Sequence, residues 1–308
     1  MSVKTINCKN REEWLSERTE GIGSSDIATI VGLNPYETPY SLWRRKLGLD
    51  PIKEETLPMK LGHLLEDSVA TLYADETGAV IDPDSVGDFL CVDTDAPYLR
   101  VSPDRFATRP DGTREIVECK TTQMMVDPDD LPTWWFAQIQ YLMGVSDIHD
   151  CTLAWLSSGR TFGYQHIKLV PEFYDFLRES ADRFWRENIQ GRQEPKPINS
   201  EDILAKYGIG TKGKEVEADQ SVFDDYTKLV AVRDEIDRLS SEKTEIEERI
   251  KLTLQDGTEL IHNGVTLVTW RGSKPSSSFD RKGFEKDYPE LAAKYTTEKP
   301  GTRRFLVK

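Results

Sequence analysis

Two acidic residues and a lysine stand close together in this sequence, in an arrangement that suits phosphodiester cleavage. Asp104 closes a Ser-Pro-Asp run, and Glu118-Cys119-Lys120 follows after a run of alternating residues. Mg²⁺ prefers oxygen ligands on rigid backbone, which Asp104 and Glu118 can supply. Residues two apart on a strand share a face, so Lys120 would lie beside Glu118 and reach the attacking water or the scissile phosphate. The pattern predicts a metal-dependent nuclease site, because a metal-bound water is easily deprotonated.

The competing interpretation is a solvated strand face, and for Glu-x-Lys alone it is the better one. The flanking residues favour a buried site instead, because they are apolar: Ile116 and Val117 precede Glu118, and Leu99 and Val101 come shortly before Asp104. Charged residues in such apolar strands are rare unless they are paired or bind a metal.

Other residues fit the same chemistry. Glu66 lies on a predicted helix, four residues after Gly62, and could supply a third acidic ligand, although alone it is better explained as a solvated glutamate. Arg18 and the serines at Ser24 and Ser25 flank a Gly-rich turn into a helix. Backbone amides, a hydroxyl and a guanidinium form a phosphate site, although simple N-capping by either serine is about equally plausible.

Gln138 and Gln140 lie in a helix that is otherwise rich in aromatic and apolar residues. Residues two apart cannot share one face of a helix. We therefore expect one of the two glutamines to face the site, and the sequence does not distinguish them.

These residues depend on an α/β framework. The sequence predicts helices over 11–17, 24–31, 39–47, 58–77, 132–144 and 171–188, and strands over 87–93, 98–107, 114–121, 151–157 and 162–169. Helices, then strands, a crossover helix and further strands favour a central mixed sheet flanked by helices. The Gly-Arg-Gln-Glu-Pro-Lys-Pro segment over 191–197 reads as a linker.

The chain is expected to comprise a nuclease domain over 1–198 and an extension over 199–308. The extension has apolar residues at alternating spacings of three and four, interrupted by Lys243: Leu229, Val232, Ile236, Leu239, Ile246 and Ile250. This heptad is typical of a coiled coil between molecules or of one arm of a helical hairpin within the chain. A hairpin is predicted over 258–270, turning at Asn263-Gly264, and a strand over 303–308.

Composition limits the class of protein. The net charge of −14 argues against a protein that coats nucleic acid non-specifically, but a local basic groove is compatible with it. No segment approaches the roughly 20 apolar residues of a membrane span. The four cysteines contain no Cys-x-x-Cys pair, which argues against an iron–sulfur nuclease and fits reduced thiols in a cytoplasm.

Taken in order, these motifs resemble the phage-type alkaline exonucleases, the family of lambda exonuclease and the YqaJ-type viral recombinases, within the PD-(D/E)XK superfamily. The matching motifs begin at Arg18 and Ser25 and end at Ala137-Gln138-Ile139-Gln140-Tyr141, and between them lie Gly62 with Glu66, Ser102-Pro103-Asp104 and Glu118-Cys119-Lys120. Their order and approximate spacing agree over residues 11–190. The resemblance implies a restriction-endonuclease-like core, with residues 200–308 outside it.

The resemblance also implies an activity: a 5′→3′ exonuclease on linear double-stranded DNA that leaves 3′ overhangs for recombination. Glu66, Asp104, Glu118 and the Cys119 carbonyl would bind Mg²⁺, with Mn²⁺ able to substitute. Lys120, helped by Gln138 or Gln140, would position or activate the water. A 5′ phosphate would be held by Arg18, Ser24 and Ser25, and by Ser102.

Partners and setting are implied as well. The partner would be a single-strand annealing protein, and the protein itself would form a homo-oligomer, namely a ring-shaped trimer. It would be encoded by a phage or prophage and act in a bacterial cytoplasm. The heptad segment puts the trimer in doubt. The alternatives are an endonuclease or nickase on the same core, and a non-catalytic DNA-end-binding module.

Overall fold

A computed structural model describes residues 2–51, 56–298 and 301–308 of the chain. It divides into two compact units, Met1–Lys206 and Tyr207–Lys308. The first unit therefore extends past the predicted boundary at residue 198. The reason is helix α7 (Ser200–Tyr207), whose buried Asp202 accepts a 2.8 Å hydrogen bond from the Thr38 hydroxyl.

The centre of the first unit is a five-stranded mixed sheet. Its strand order is β2-β5-β6-β7-β8, with β6 and β7 parallel and the other pairs antiparallel. The strands are β2 (Val80–Ile81), β5 (Arg105–Thr108), β6 (Arg114–Thr122), β7 (Asp150–Ser157) and β8 (Thr161–Lys168). A second, antiparallel sheet has the order β1-β3-β4 and comprises β1 (Val3–Asn7), β3 (Phe89–Asp93) and β4 (Arg100–Val101).

The strand predicted over 98–107 is two strands in two sheets. β4 pairs with β3, and β5 pairs with β6. Ser102-Pro103-Asp104 forms the break between them, because proline has no N–H to donate to a ladder. The break brings Asp104 to the end of β5, next to the register pair Arg105–Val117, and so beside Glu118.

Helices cover both faces of the central sheet. They are α1 (Arg11–Thr19), α2 (Ser24–Ile30), α3 (Pro39–Lys46), α4 (Leu57–Thr77), α5 (Thr133–Ser146) and α6 (Pro171–Arg183), which continues as a π-helical segment, Phe184–Gln190. A short 3₁₀ turn spans Pro83–Ser85. The predicted α/β class, with a central mixed sheet flanked by helices, is confirmed.

Alternate residues of β6 enter different cores. Ile116 belongs to the larger cluster with Ile139 of α5, whereas Val117 packs with Val69 and Tyr73 of α4. Because side chains alternate along a strand, Glu118 shares the α5 face with Ile116. The sheet thus directs Glu118 towards α5, where Gln138 lies.

The second unit contains α8 (Gln220–Leu254), an antiparallel hairpin of β9 (Glu259–His262) and β10 (Val265–Thr269), and two short helices, α9 (Arg281–Asp287) and α10 (Pro289–Tyr295). The predicted turn at Asn263-Gly264 is present, and both residues have positive φ, as this turn requires. The strand predicted over 303–308 is wrong, because residues 301–308 form no strand. Among the helices that the structure describes, none is both long and apolar enough to cross a bilayer.

Candidate active site

A cleft of about 890 Å³ in the first unit brings together most of the candidate residues. Its walls come from α1, the start of α2, α4, the break between β4 and β5, β6 and α5. The candidates that line it are Arg18, Ser24, Ser25, Glu66, Ser102, Asp104, Glu118, Cys119, Lys120 and Gln138. Segments separated by more than 100 residues therefore meet at one place.

Glu118 lies in the centre of the cleft wall and is only 2% exposed. Its Oε1 accepts hydrogen bonds from Lys120 Nζ at 2.5 Å and from Gln138 Nε2 at 2.6 Å. Its Oε2 is buried and has no hydrogen-bond donor among the described residues. An unpaired buried carboxylate oxygen is costly, and it is the feature that a bound cation would satisfy.

Asp104 stands beside Glu118 and has a single backbone partner. Its Oδ2 accepts a hydrogen bond from the Cys119 N–H at 2.8 Å. Burial, and after it the charge of Glu66, raises the pKa of Asp104 to about 6, although Lys120 opposes the change. Burial, followed by the charge of Asp104, raises the pKa of Glu118 to about 7. The carboxylates thus repel one another in a region with too little positive charge.

Glu66 projects from α4 into the same cleft and is paired with a residue that the sequence analysis did not single out. Its Oε1 accepts a hydrogen bond from Arg105 Nη1 at 2.6 Å, and Arg105 also bonds Asp67 and the carbonyl of Asp104. The Arg105 side chain is only 7% exposed. This guanidinium offsets part of the acidic charge at the site.

Lys120 remains an ammonium in this arrangement. Burial lowers its pKa, but the charges of Glu118 and Asp104 outweigh burial and leave the pKa above its ordinary value. Lys120 can therefore donate hydrogen bonds to a water or a phosphate oxygen, and it is not a general base in this state.

The donor set suits a hard divalent cation in its chemistry. Glu66, Asp104 and Glu118 are carboxylates, burial and then their mutual repulsion raise their pKa values, and one buried oxygen of Glu118 lacks a donor. No three His, Cys, Asp or Glu side chains among the described residues converge closely enough to hold an ion as they stand. Two of the carboxylates are engaged elsewhere: Glu66 accepts a hydrogen bond from Arg105, and one oxygen of Glu118 accepts hydrogen bonds from Lys120 and Gln138.

Helix α1 contributes two arginines and a tryptophan to the cleft wall. The guanidinium of Arg11 lies 3.7 Å, and that of Arg18 4.4 Å, from the ring centroid of Trp14. The Trp14 indole N–H donates to Ser102 Oγ at 3.1 Å, and Ser102 donates to the carbonyl of Phe89 at 2.7 Å. Ser102, predicted to hold a phosphate, therefore lines the cleft but uses its hydroxyl to fix Trp14.

The start of α2 differs from the predicted serine cap. Gly23 is the N-cap, and the buried Asp26 at the third helical position accepts from the Gly23 N–H at 2.9 Å. Ser25 is exposed and accepts a hydrogen bond from Arg18 Nη2 at 3.0 Å, while Ser24 is buried in the cleft wall. Freed from capping, Ser25 and Arg18 together present polar groups to the cleft.

Gln138 and Gln140 point to different sides of α5, as their spacing of two residues on a helix requires. Gln138 reaches Glu118, whereas Gln140 is fully buried away from the cleft. The Gln140 amide donates to the Lys168 carbonyl at 2.9 Å and accepts from the Val170 N–H at 2.7 Å. The prediction of Gln140 as a catalytic candidate is wrong, because both ends of its amide bind backbone where β8 ends.

Several residues that line the cleft were missed from the sequence, among them Arg11, Trp14, Arg100 and Arg105. Arg11 had a readable signal, because it precedes Trp14 by three residues and Arg18 follows by four, which places all three on one helical face. Arg105 had no such signal, since its role depends on α4 lying across the end of β5.

Comparison with known proteins finds one family model and one full-length relative that resemble this chain. Residues 13–149 match the model of the YqaJ-like viral recombinase domain. The chain is also 28% identical over 312 residues to the uncharacterized protein YqaJ of Bacillus subtilis (strain 168), an alignment that covers 97% of this chain and 94% of that protein. The predicted family resemblance is thus confirmed, and the matched region contains Arg18, Glu66, Asp104, Glu118, Lys120 and Gln138.

Solved structures with a similar fold include two of LHK-Exo, an alkaline exonuclease from Laribacter hongkongensis. The complex with dAMP has a TM-score of 0.47 at 16% identity, and the second structure has 0.44 at 18%; each covers 58% of this chain and 93% of that one. A phage-related exonuclease from Haemophilus somnus 129PT has a TM-score of 0.40 at 12% identity, covering 56% of this chain and 96% of that one.

Proposed function

We propose that this chain, whose residues 13–149 carry a YqaJ-like viral recombinase domain, is a Mg²⁺-dependent 5′→3′ exonuclease on linear double-stranded DNA. It would leave 3′ single-stranded overhangs for phage-type recombination. The observation that carries the proposal is Glu118: a buried carboxylate with one unpartnered oxygen, held by Lys120 and Gln138 in a cleft that also contains Arg18.

Glu66, Asp104, Glu118 and the carbonyl of Cys119 would hold the cation, and Mn²⁺ would substitute for Mg²⁺. When bound, the cation lowers the pKa of a water and offsets the charge of the scissile phosphate. Glu66 would have to exchange its bond with Arg105 for this role. Arg105 would keep its bonds to Asp67 and the Asp104 carbonyl, and its donor released by Glu66 would turn to a phosphate oxygen at the same place.

Lys120 and Gln138 would orient the attacking water. Both donate to Glu118 Oε1, so both point their donors at the same small region of the cleft. The charged state of Lys120 favours donation to the water or to a non-bridging phosphate oxygen. Holding these groups before the substrate arrives removes the cost of reorganising solvent during the reaction.

A terminal 5′ phosphate would lie against Arg18, Arg11 and the hydroxyl of Ser25 in the same cleft. Guanidinium groups bind a phosphate through charge-assisted hydrogen bonds. Both arginines pack on Trp14, and Ser102 fixes Trp14 through a hydrogen bond. The side chains that would bind the phosphate are therefore in position before the substrate arrives. A terminal phosphate bound in the same cleft as the carboxylates would explain removal of nucleotides from a 5′ end.

The cellular setting is part of the proposal. A single-strand annealing protein would coat the 3′ strand that digestion exposes, and the enzyme would act in the cytoplasm of a host cell carrying the phage or prophage. A ring-shaped trimer stays a prediction from the resemblance.

The nuclease itself is tested with two variants and three metal ions. Asp104→Ala and Lys120→Ala should each lower the rate on linear duplex by about a hundredfold or more, because both groups act on the transition state. A gel-shift assay should show that both still bind DNA. The control is Asp129→Ala, an exposed acid outside the cleft, which should cut normally.

Mg²⁺ and Mn²⁺ should support cutting, whereas Ca²⁺, with its looser coordination, should not. Wild-type turnover by either site variant would overturn the assignment. Cutting of closed circular DNA at the same rate as linear DNA would favour the alternative, an endonuclease or nickase. DNA binding without any cutting in Mg²⁺ or Mn²⁺ would favour the non-catalytic end-binding module.

A further inference from the structure

Helix α8 has an apolar seam that stays largely exposed in the described part of its own unit. It is one continuous helix of 35 residues, roughly 50 Å long at 1.5 Å per residue. Within the described part of the second unit, no other helix or strand packs along it. Five of its apolar residues, Leu229, Val232, Ile236, Leu239 and Ile246, are between 39% and 57% exposed, whereas Ile250 is partly buried. The helical hairpin within the chain, one of the two sequence interpretations, is therefore not formed.

The seam follows a heptad with five positions of each kind. The a positions are Val222, Leu229, Ile236, Lys243 and Ile250, and the d positions are Asp225, Val232, Leu239, Ile246 and Thr253. Lys243 is the one charged residue in the middle of the seam, and it forms a 3.0 Å ion pair with Glu247 on the same helix. That pair draws its ammonium towards the flank, so the seam can accommodate it.

Charges beside the seam distinguish the possible ways to pair two copies. In a parallel, in-register pair, Lys228 faces Arg233 and Glu242 faces Glu247 of the second copy, so both pairs repel. In the antiparallel register that sets Ile236 against Leu239 of the second copy, Glu235 meets Glu242 and Lys228 meets Arg249, which repel as well.

A shift of one heptad removes most of this repulsion. Antiparallel helices centred on Ser241 set Ile236 against Ile246 and Val232 against Ile250 of the second copy. On the flanks, Glu235 then faces Arg249 and Arg233 faces Glu247, and each pair occurs twice by symmetry. Glu242 meets its own copy at the twofold axis, where Lys243 from both helices lies next to it.

From these pairings we propose that α8 joins two copies of this chain in an antiparallel coiled coil centred on Ser241. The occupant of the seam is a second copy, because the seam and its flanking charges complement themselves in this register. A helix pair of this kind has twofold symmetry, so the interface makes dimers and differs from the trimer that the family resemblance implies. The proposal is independent of the nuclease activity.

The register can be tested with neighbouring serines in the full-length protein. Ser240 occupies the e position at the twofold axis, whereas Ser241 points away from the seam. Ser240→Cys should be crosslinked into a covalent dimer by a short bismaleimide, and Ser241→Cys, the matched control, should crosslink at least tenfold less. Equal crosslinking of the two, or none at Ser240→Cys, overturns the register.

A charge exchange tests the pairing itself. Glu235→Lys and Arg249→Glu should each raise the dimer dissociation constant about tenfold or more in analytical ultracentrifugation, because each places like charges together. The double variant should return it to near the wild-type value. The proposal is overturned if the wild-type protein sediments as a monomer at micromolar concentration, which is the result expected when the seam is covered within the chain. It is also overturned if the double variant dimerises no more tightly than the single variants.

Discussion

Gln138 and Gln140 show how two identical side chains, two residues apart, acquire unrelated roles. Gln138→Ala should lower the cutting rate at least tenfold while the melting temperature hardly changes, because its amide touches Glu118 at the cleft. Gln140→Ala should leave activity per folded molecule unchanged but destabilise the protein by about 2–4 kcal/mol, since it leaves a buried backbone carbonyl and N–H unpaired. Single-turnover kinetics measure the cutting rate and thermal unfolding measures the stability of both variants. A stable, fully active Gln138→Ala together with an inactive Gln140→Ala would contradict these roles.

Residue identities predicted much of the site and missed part of it. Asp104, Glu118 and Lys120 could be found from strand alternation together with their apolar flanks and the other motifs, whereas the break between β4 and β5 beside Asp104 was not predicted. The choice between Gln138 and Gln140 needed the position of α5 on the sheet. Arg105 could not be found, since it contacts Glu66 and Asp67, which are almost forty positions away along the chain.

At the scale of elements, the junction of α2 and α3 depends on one buried carboxylate. Asp26 forms ion pairs with Lys46 at 2.7 Å and Arg45 at 2.9 Å, and both Asp26 and Lys46 are 4% exposed. Burial acts to raise the pKa of Asp26, but Lys46, Arg45 and Arg18 outweigh it and hold the pKa well below its usual range. This network fixes the turn that presents Arg18 and Ser25 to the cleft.

Asp26→Asn should destabilise the protein by about 3–5 kcal/mol at pH 7, since Lys46 would remain buried without its counter-charge. The folded-state pKa lies below the unfolded value of about 3.9, so the contribution is complete above that pH and is lost as the pH falls towards the folded pKa. Urea unfolding at pH 7 and pH 3 should show the difference between wild type and variant narrowing at pH 3. The control Asp50→Asn removes a half-exposed pair with Arg44 and should cost no more than about 1 kcal/mol.

Two glycines near the site differ in the space that a side chain would have. A Cβ at Gly21 would lie 2.2 Å from the Tyr98 carbonyl oxygen, where Ile22 bridges to Leu99, so Gly21→Ala should lower stability by several kcal/mol. A Cβ at Gly62 would meet only Thr121 Oγ1, at 3.9 Å. Gly62→Ala should be neutral or stabilise helix α4 by about 0.5–1 kcal/mol. Differential scanning calorimetry of the two variants compares them; a destabilised Gly62→Ala would contradict this account.

Most elements could be predicted from pattern, and the exceptions have physical causes. Leu61, Leu64 and Val69 recur at helical spacing on α4, which by itself indicates one buried face, but Leu61 and Leu64 are 43% and 74% exposed, and Val69 packs with Tyr73 instead. The sheet selects that face because Tyr73 donates to the buried Glu115 at 2.6 Å. Such a polar contact between elements leaves no periodic trace in the sequence.

At the scale of the whole molecule, an acidic chain presents basic groups at one cleft. The net charge is −14, yet Arg11, Arg18, Arg100 and Arg105 all line the cleft. We therefore expect phosphate binding to be confined to this cleft. Raising the salt from 50 to 200 mM should weaken DNA-end binding through a small number of phosphate contacts, with a shallow slope in a fluorescence-anisotropy titration. A steep slope would indicate a much larger basic surface than this cleft supplies.

The central claim, that the cleft degrades DNA from a 5′ end, is tested most directly by the rate on a linear duplex whose 5′ end is phosphorylated or unphosphorylated, with separate labels on the 5′ and 3′ ends. Charge-assisted hydrogen bonds to a phosphate contribute about 1.5–3 kcal/mol each, so the phosphorylated end should be degraded about tenfold faster or more. Arg18→Ala should remove most of that preference, and Arg160→Ala, an exposed arginine outside the cleft, should retain it. Equal rates on the two ends, or loss of the 3′ label first, would contradict the account.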